Sequence, residues 1–456
     1  MTGAPYGLQT SLRHSHSDSL SQLPPSPDLH WVPCFQNYTS ARLEVPLDYG
    51  DPSRGVTAIA FLKLSATNAT TNTRSLLINP GGSGGSGIES VFSQGLALAD
   101  CWPGNPEGRA QFEKLYFPEI YNASSTTAGR QFAAAEIFGE VCSSIVGGSN
   151  GSAAFVSTPA VARDMLSFVE AEQKQRLAKN ESDNEQAKLW YYGVSYWTVL
   201  GATFAHLFPD RVERMVLDGV VEAEDYYSLG WRSNLYDADK ALDSFIQSCF
   251  QAGGKERCAF WGPFPKLAAI LAGLEQSNTT AYAIAVTGGT IPANPCNYAP
   301  STATRDVDTL IRCVDGAGEK RFRSISQFED YVDVLTSQSE FFGEVWPNNA
   351  NGVACRAFEV SPPETGKLKG TILDSRRTAS PILFVTTEVD PVAPKRAAHK
   401  MSSVFPGSAV LIQRSVGHTE FLRPSICFAR RVRNYLLSGQ LPPPNSTCQA
   451  DAEPFP

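Results

Sequence analysis

No run of apolar residues in this chain approaches the length of a membrane span, so a spanning helix is excluded. Basic residues form no stripe: 38 Lys and Arg stand against 46 Asp and Glu, a net charge of -8 with the signs interspersed. That removes the electrostatic footprint of a nucleic-acid binder and of a polybasic membrane contact, and leaves a peptide or small molecule as the expected partner. None of the ten cysteines sits in a C-x-x-C pair, so zinc-site spacing is missing and no metal site is expected. Disulfides are expected instead, with Cys249–Cys258 and Cys427–Cys448 favoured by closeness in sequence. Histidine is scarce at six residues, which narrows the search for a general base. The opening "MTGAPYGLQTSLRHSHSDSL" lacks the hydrophobic core of a secretory signal.

Against that last absence stands an excess. Seven of 18 asparagines (Asn37, Asn68, Asn122, Asn150, Asn180, Asn278 and Asn445) lie in N-x-[ST] sequons, where roughly three would arise by chance. Together with the cysteine usage this points to the secretory pathway, and a different N-terminal segment would reconcile the two signals.

At 456 residues the chain is long enough for a large α/β core with an inserted second domain. Residues 1–29 are rich in Ser, Pro and His without periodicity and are expected to be a disordered tail. Strand-like runs follow in "ARLEVPL", "VTAIAFLKL" and "RSLLIN", then a glycine loop, "NPGGSGGSG", and "GIESVFSQGLALA" with helical spacing. Beyond it, "PAVARDMLSFVEAEQKQRLA" and "TVLGATFAHLF" read as helices, "KLWYYGV" and "VERMVLDGVV" as strands. Alternation of this kind implies a parallel sheet. The pattern becomes helical over residues 222–370, an expected cap, and the sheet resumes over 371–456 with "PILFVTTEVD" and "SAVLIQR". The core is thus expected in two parts, 30–221 and 371–456.

The glycine loop allows two chemistries. From Gly82 to Gly87 it fits G-x-G-x-x-G, the dinucleotide fingerprint, with Asp100 near the acidic position; alternatively a Gly-Gly turn after a strand aims N–H groups at a developing negative charge. Two strands precede this loop and Asp100 ends no apolar strand, which disfavours the dinucleotide reading. Downstream, "LWYYGVSYWTVLG" is a strand running straight into a helix, with Gly193 two residues before Ser195, the context of a nucleophile elbow. A serine needs an oriented base. His14, His16 and His30 precede the sheet, and His206 and His399 fall within helices; His418 remains, on a Gly-His loop after "LIQRSV". Asp390 stands equivalently after "PILFVTTEV", where it could equally serve as a helix cap or an Asp-Pro turn. Ser195, Asp390 and His418 follow the chain order Ser, Asp, His.

The pieces "LEVPLDY", "LLINPGGSGGSG", "YYGVSYWTVLGATFAHLFPDRVERMVLDGVV", "PILFVTTEVDPVAP" and "VGHTEF" resemble, over His30 to Cys448, the tripeptidyl aminopeptidase-like α/β-hydrolases, relatives of prolyl aminopeptidases, in a fungal-looking version. The resemblance implies an α/β-hydrolase fold with a helical cap and a serine hydrolase acting on the N-terminal end of peptides or on related amides and esters. It implies no metal or organic cofactor. By position it makes Ser195 the nucleophile, Asp390 the acid and His418 the base, with the N–H groups of Gly82 and Tyr196 as the oxyanion hole. The alternatives are an esterase or lactonase of specialised metabolism and a non-catalytic hydrolase-like protein.

Three departures from the family pattern carry expectations. "LALADCWPGN" follows the oxyanion loop and its helix at once, so one central strand is expected to be missing. Trp197 replaces the last glycine of G-x-S-x-G, and its ring is expected to push the helix away or tilt Ser195. Ser40 stands where many relatives have the cysteine that pairs with Cys34, which is left unpaired or re-paired. The cap acids Glu222, Glu224 and Asp225 are either binders of a substrate ammonium or a solvated loop.

Overall fold

The computed structural model describes residues 23–34, 37–70, 73–79, 81–82, 100–116, 120–147, 151–178, 186–258, 261, 302–319, 321–349 and 351–455. Its strands form two sheets. In the first, β1 (Val32–Cys34), β2 (Tyr38–Pro46) and β3 (Val56–Leu64) run antiparallel in that order. Ala41, Leu43 and Val45 alternate into the core while Arg42 and Glu44 face outward, the period-two pattern of a half-buried strand. In the second, β4 (Leu77–Asn79), β5 (Leu189–Val194), β6 (Val212–Asp218), β7 (Leu383–Val389), β8 (Ala409–Val416) and β9 (Thr447–Gln449) are parallel and adjacent in chain order. β5 and β6 are buried almost end to end, as strands covered on both faces must be.

Among the described residues no strand joins β3 to β4, and Ile78 of β4 is 60% exposed; residues 83–99, where the sequence is expected to lack a strand, lie outside them. The expected helix at 87–99 lies outside the described residues. So do 1–22, but the tail ends earlier than composition suggests. Ser26 pairs through its backbone with Arg42 and Glu44, and Leu29 is buried in the core. A single strand-edge pairing plus one buried leucine is enough to anchor a polar segment.

The helices are α1 (Pro106–Tyr116), α2 (Thr127–Val146), α3 (Thr158–Leu177), α4 (Tyr196–Leu207), α5 (Ala223–Tyr227), α6 (Ala238–Gln251), α7 (Thr302–Asp315), α8 (Ile325–Thr336), α9 (Asn351–Ala354), α10 (Lys395–Val404) and α11 (Ile426–Ser438). Ser157 caps α3 by accepting from the Ala160 N–H, and Gly439, at φ 74°, closes α11. One sheet face is covered by α3, α4 and α10 through Met165, Phe168, Val199, Phe204 and Met401; the other by α11 through Phe428, Val432 and Tyr435.

Residues 222–370 supply α5–α9, but the cap is not theirs alone. Phe132 and Ala135 of α2 pack with Phe328, Tyr331 and Leu335 of α8, and Phe138 and Cys142 with Leu310 and Cys313 of α7. Helix α2, expected with the core by chain order, therefore packs on α7 and α8 of the expected cap. Disulfides Cys101–Cys142 and Cys313–Cys355 lie inside it. Both sequence-favoured pairs, Cys249–Cys258 and Cys427–Cys448, are bonded, and Cys34 is unbonded among the described residues.

The cap is fastened to the core by Asp315 at the end of α7. Its carboxylate accepts from the Thr158 N–H at the start of α3 (2.6 Å), from the Thr158 hydroxyl, and from Tyr226 Oη of α5 (2.8 Å). No cation joins the cluster among the described residues, and loss of solvent around the carboxyl, against the pull of these donors, pushes its pKa up to about 7. The folded chain therefore binds this proton more tightly than the unfolded one. The group's contribution is fully present below the ordinary aspartate pKa, about 4, and is lost as pH rises through about 7. The melting temperature should fall as pH is raised across that window, and Asp315→Asn should flatten the fall; thermal unfolding followed from about pH 4 to about pH 8, which spans both pKa values, checks it.

Candidate active site

Parallel pairing brings the carboxyl ends of five strands to one side of the sheet, with β7 and β8 running on past the level of Asp218. Asn79 lies beside Gly193, Val194 beside Asp218, Asp218 beside Val385, and Val389 beside Val416. The residues that follow these ends, Gly81, Ser195, Gly219, Asp390 and His418, therefore share one rim, where open α/β sheets gather their sites.

Ser195 sits between β5 and α4 at φ 58°, ψ −125°, a region L-residues enter at a cost of about 1–3 kcal/mol. Three hydrogen bonds hold it there: Ser195 N–H to Asp218 O (2.8 Å), and Thr198 N–H (2.8 Å) and Thr198 Oγ1–H (2.6 Å) to Ser195 O. At about 1 kcal/mol net each, they offset the strain. The turn also needs room. A Cβ at Gly193 would lie 2.6 Å from the Trp197 carbonyl, and one at Gly81, itself at φ 113°, 3.3 Å from Ser195 Cβ.

The ring of Trp197 does not displace the helix. It is half-buried at the edge of the main core, and the Trp197 carbonyl accepts from Tyr191 Oη at 2.9 Å, tying α4 to β5. Close approach of helix to sheet is provided one turn later by Gly201, whose missing Cβ would sit 2.5 Å from Leu217 Cδ2 and 2.8 Å from Tyr191 Cε1. Overpacking of that kind costs about 1–3 kcal/mol. The expected steric conflict is thus absent because the small residue has moved along the helix.

His418 Nε2 lies 2.8 Å from Ser195 Oγ, and His418 Nδ1 lies 3.0 and 2.9 Å from the two Asp390 oxygens. Asp390 is fully buried and also accepts from the N–H groups of Val392 (2.9 Å), Ala393 (2.8 Å) and Thr419 (3.3 Å). The turn-capping role and the approach to histidine are thus combined in one carboxylate. Its loop is braced by Asn234 Nδ2, donating to Val392 O at 2.9 Å. The histidine loop is braced by Thr387 Oγ1, donating to Gly417 O at 2.7 Å, and by Gly417 N–H, donating to Val389 O at 3.0 Å.

Of the expected oxyanion donors, Tyr196 is the first residue of α4, so its N–H has no intrahelical acceptor. Its phenol is anchored 2.5 Å from Thr158 Oγ1, the hydroxyl that Asp315 also holds. Gly82, at φ 74°, is exposed with open space around its Cα, one residue beyond the glycine that touches Ser195. The rest of the glycine loop, with Gly87, lies outside the described residues. Glu222 and Glu224 both pair with Lys400, and Asp225 accepts from the N–H groups of Arg232 and Ser233. These acids already have partners. His206 likewise bonds Ser375 Oγ and Lys369 O.

Thr198 and Gly201 do not stand out in the sequence, whereas Gly81 belongs to the Gly-Gly turn that the strand-loop context marks. Only a helix-face reading of "TVLGATF" against a buried strand could single out Gly201; nothing local marks Thr198.

Residues 339–448 match the family described as TAP-like protein. The chain is 24% identical to the tripeptidyl aminopeptidase of Streptomyces lividans, covering 94% of this chain and 88% of that protein. It is 28% identical to the serine protease Hip1 of Mycobacterium tuberculosis (strain ATCC 25618 / H37Rv), over 47% of this chain and 46% of that one. A hydrolase from Pseudomonas aeruginosa PA01 aligns in structure with a TM-score of 0.24 and 11% identity, covering 62% of this chain and 72% of that one. With its parallel sheet flanked by helices, the chain has the α/β-hydrolase fold, and the segment that carries its last strands is TAP-like.

Proposed function

We propose that this serine hydrolase cleaves amide or ester bonds through an acyl-enzyme, in the manner of an aminopeptidase releasing residues or short peptides from an N-terminal end. The observation that carries the reading is the continuous path Ser195 Oγ, His418 Nε2, His418 Nδ1, Asp390, with every step at 3.0 Å or less. Similarity to the tripeptidyl aminopeptidase over nearly the whole chain supports the substrate class.

In the proposed mechanism, Asp390 holds the tautomer with the proton on Nδ1, so Nε2 accepts the Ser195 proton as Oγ attacks the acyl carbon. The tetrahedral oxyanion is received by the N–H groups of Gly82 and Tyr196. His418 then gives its proton to the leaving nitrogen or oxygen, and water, activated by the same imidazole, releases the acyl group. Each role is taken by a group of the chain itself.

We also propose passage through the secretory pathway. Four disulfides among the described residues suit an oxidising compartment. The sequon residues Asn37, Asn68, Asn122 and Asn445 are all exposed and on turns, open to a transferase; the other three lie outside the described residues.

Ser195→Ala is expected to lower kcat on aminoacyl or tripeptidyl anilides and short-chain esters by about 10⁴-fold or more, and adding His418→Ala should cost little further, because the two act as one unit. Fluorophosphonate labelling should vanish with Ser195; retained labelling would assign the nucleophile elsewhere. Produced with an export signal supplied, the protein should gain mobility on glycosidase treatment. It should also show far fewer than its ten thiols when denatured without reductant.

A further inference from the structure

Beneath the histidine loop lies a second acidic centre that the triad mechanism does not use. Asp218, the last residue of β6, is fully buried, and its backbone carbonyl is the one that accepts the Ser195 N–H. Its side chain meets Tyr192 of β5, whose Oη lies 3.2 Å from Asp218 Oδ2 and 3.2 Å from Glu420 Oε1. Glu420 is two residues beyond His418. Between them Thr419, a β-branched residue, is held at φ 70°, and the next residue of β6's exit, Gly219, is so close that a Cβ there would lie 2.8 Å from Thr419 Cγ2 and 3.0 Å from His418 Cε1.

One phenol hydrogen cannot serve two carboxylates. Among the described residues no lysine or arginine forms an ion pair with Asp218 or Glu420, and Asp218 Oδ1 has no hydrogen-bond partner. The arrangement is satisfied by one added proton, with Asp218 Oδ2–H donating to Tyr192 Oη and Tyr192 Oη–H donating to Glu420 Oε1. Of the two acids, Asp218 is the enclosed one; Glu420 borders a cavity that Arg74 and Arg433 also line.

We propose that Asp218 is kept as a neutral carboxylic acid, and that through Tyr192 and Glu420 it positions the strained loop carrying His418 without placing a second negative charge beside the imidazole. The proposal rests on His418 being the base of the proposed mechanism. Burial drives the Asp218 carboxyl well above the carboxylate range, and the charges of Glu420 and Asp390 push the same way; burial raises Glu420 as well. The titratable groups acting on Asp218 are thus Tyr192 from β5, Glu420 from the loop after β8, and Asp390 after β7. Asp218 is a positioning residue, and Asp390 is the carboxylate in direct contact with the histidine.

Asp218→Asn, an amide of the same shape that is neutral at every pH, separates the possibilities. If Asp218 is already neutral, the acid limb of the pH profile of kcat/KM should stay in place within about 0.3 pH units, and kcat/KM within about threefold. The infrared difference spectrum at neutral pH should show a protonated-carboxyl band in the wild type that the variant lacks. A downward move of the acid limb by about one unit, as removal of a carboxylate beside an imidazolium produces, would overturn the proposal. So would the absence of any band to lose. Should Asp218→Asn not fold, Tyr192→Phe is read instead: kcat should fall about tenfold with KM unchanged, because the base is misplaced while binding is intact. An unchanged kcat overturns it. Turnover retained in Ser195→Ala would sink the triad reading alone, since the infrared band does not depend on it.

Discussion

The parallel pairing of β4 to β8, which turns all five carboxyl ends to one side, is the constraint on which the rest depends. Because β5 and β6 end side by side at Val194 and Asp218, and β7 and β8 run on together to Val389 and Val416, residues far apart in sequence leave the sheet on the same side and can meet within hydrogen-bond distance. Parallel strands with both faces buried hold such a register firmly, since a one-residue slip would move every side chain to the opposite face, into a packing layer it does not fit. Ser195 then needs only a sharp exit from its strand, and His418 and Asp390 only short loops. The sheet does the alignment, and the loops are braced back onto it by Thr387, Gly417 and Asn234.

That alignment stands beside a second, antiparallel sheet. The antiparallel β1–β3 unit keeps its place against the rest through Leu43 and Val45, which join the same core cluster as Met165 and Phe168 of α3. Side-chain packing through α3 joins the two sheets where, among the described residues, no strand lies between β3 and β4, and the triad on the β5–β8 side keeps its hydrogen bonds. The cap is coupled to that rim by polar contacts: Asp315 grips Thr158, Thr158 touches Tyr196, and Tyr196 is the residue after the nucleophile. A change in cap position therefore has a short mechanical path to the N–H proposed to bind the oxyanion.

The sequence by itself determined the alternation of strands and helices, the elbow at Gly193–Ser195, and the chain order of Ser195, Asp390 and His418. Each rests on local signals: periodicity, a small residue before a serine, and loops that follow apolar strands. Cys249–Cys258 and Cys427–Cys448 were legible for the same reason, their partners being near in the chain.

Only the tertiary structure decided what depends on contacts across the sheet. It joined α2 to the cap, since an amphipathic helix does not carry the address of the surface it covers. It showed that Gly201, not the position of Trp197, sets the spacing of helix and strand, because clearance is a property of two facing surfaces, here Gly201 against Leu217 and Tyr191. It bound Glu222 and Glu224 to Lys400, far away in sequence. And it placed Asp218, to the sequence merely the polar end of an apolar strand, beneath the histidine loop with Tyr192 and Glu420, where three elements must converge before a buried carboxyl has any consequence for the site.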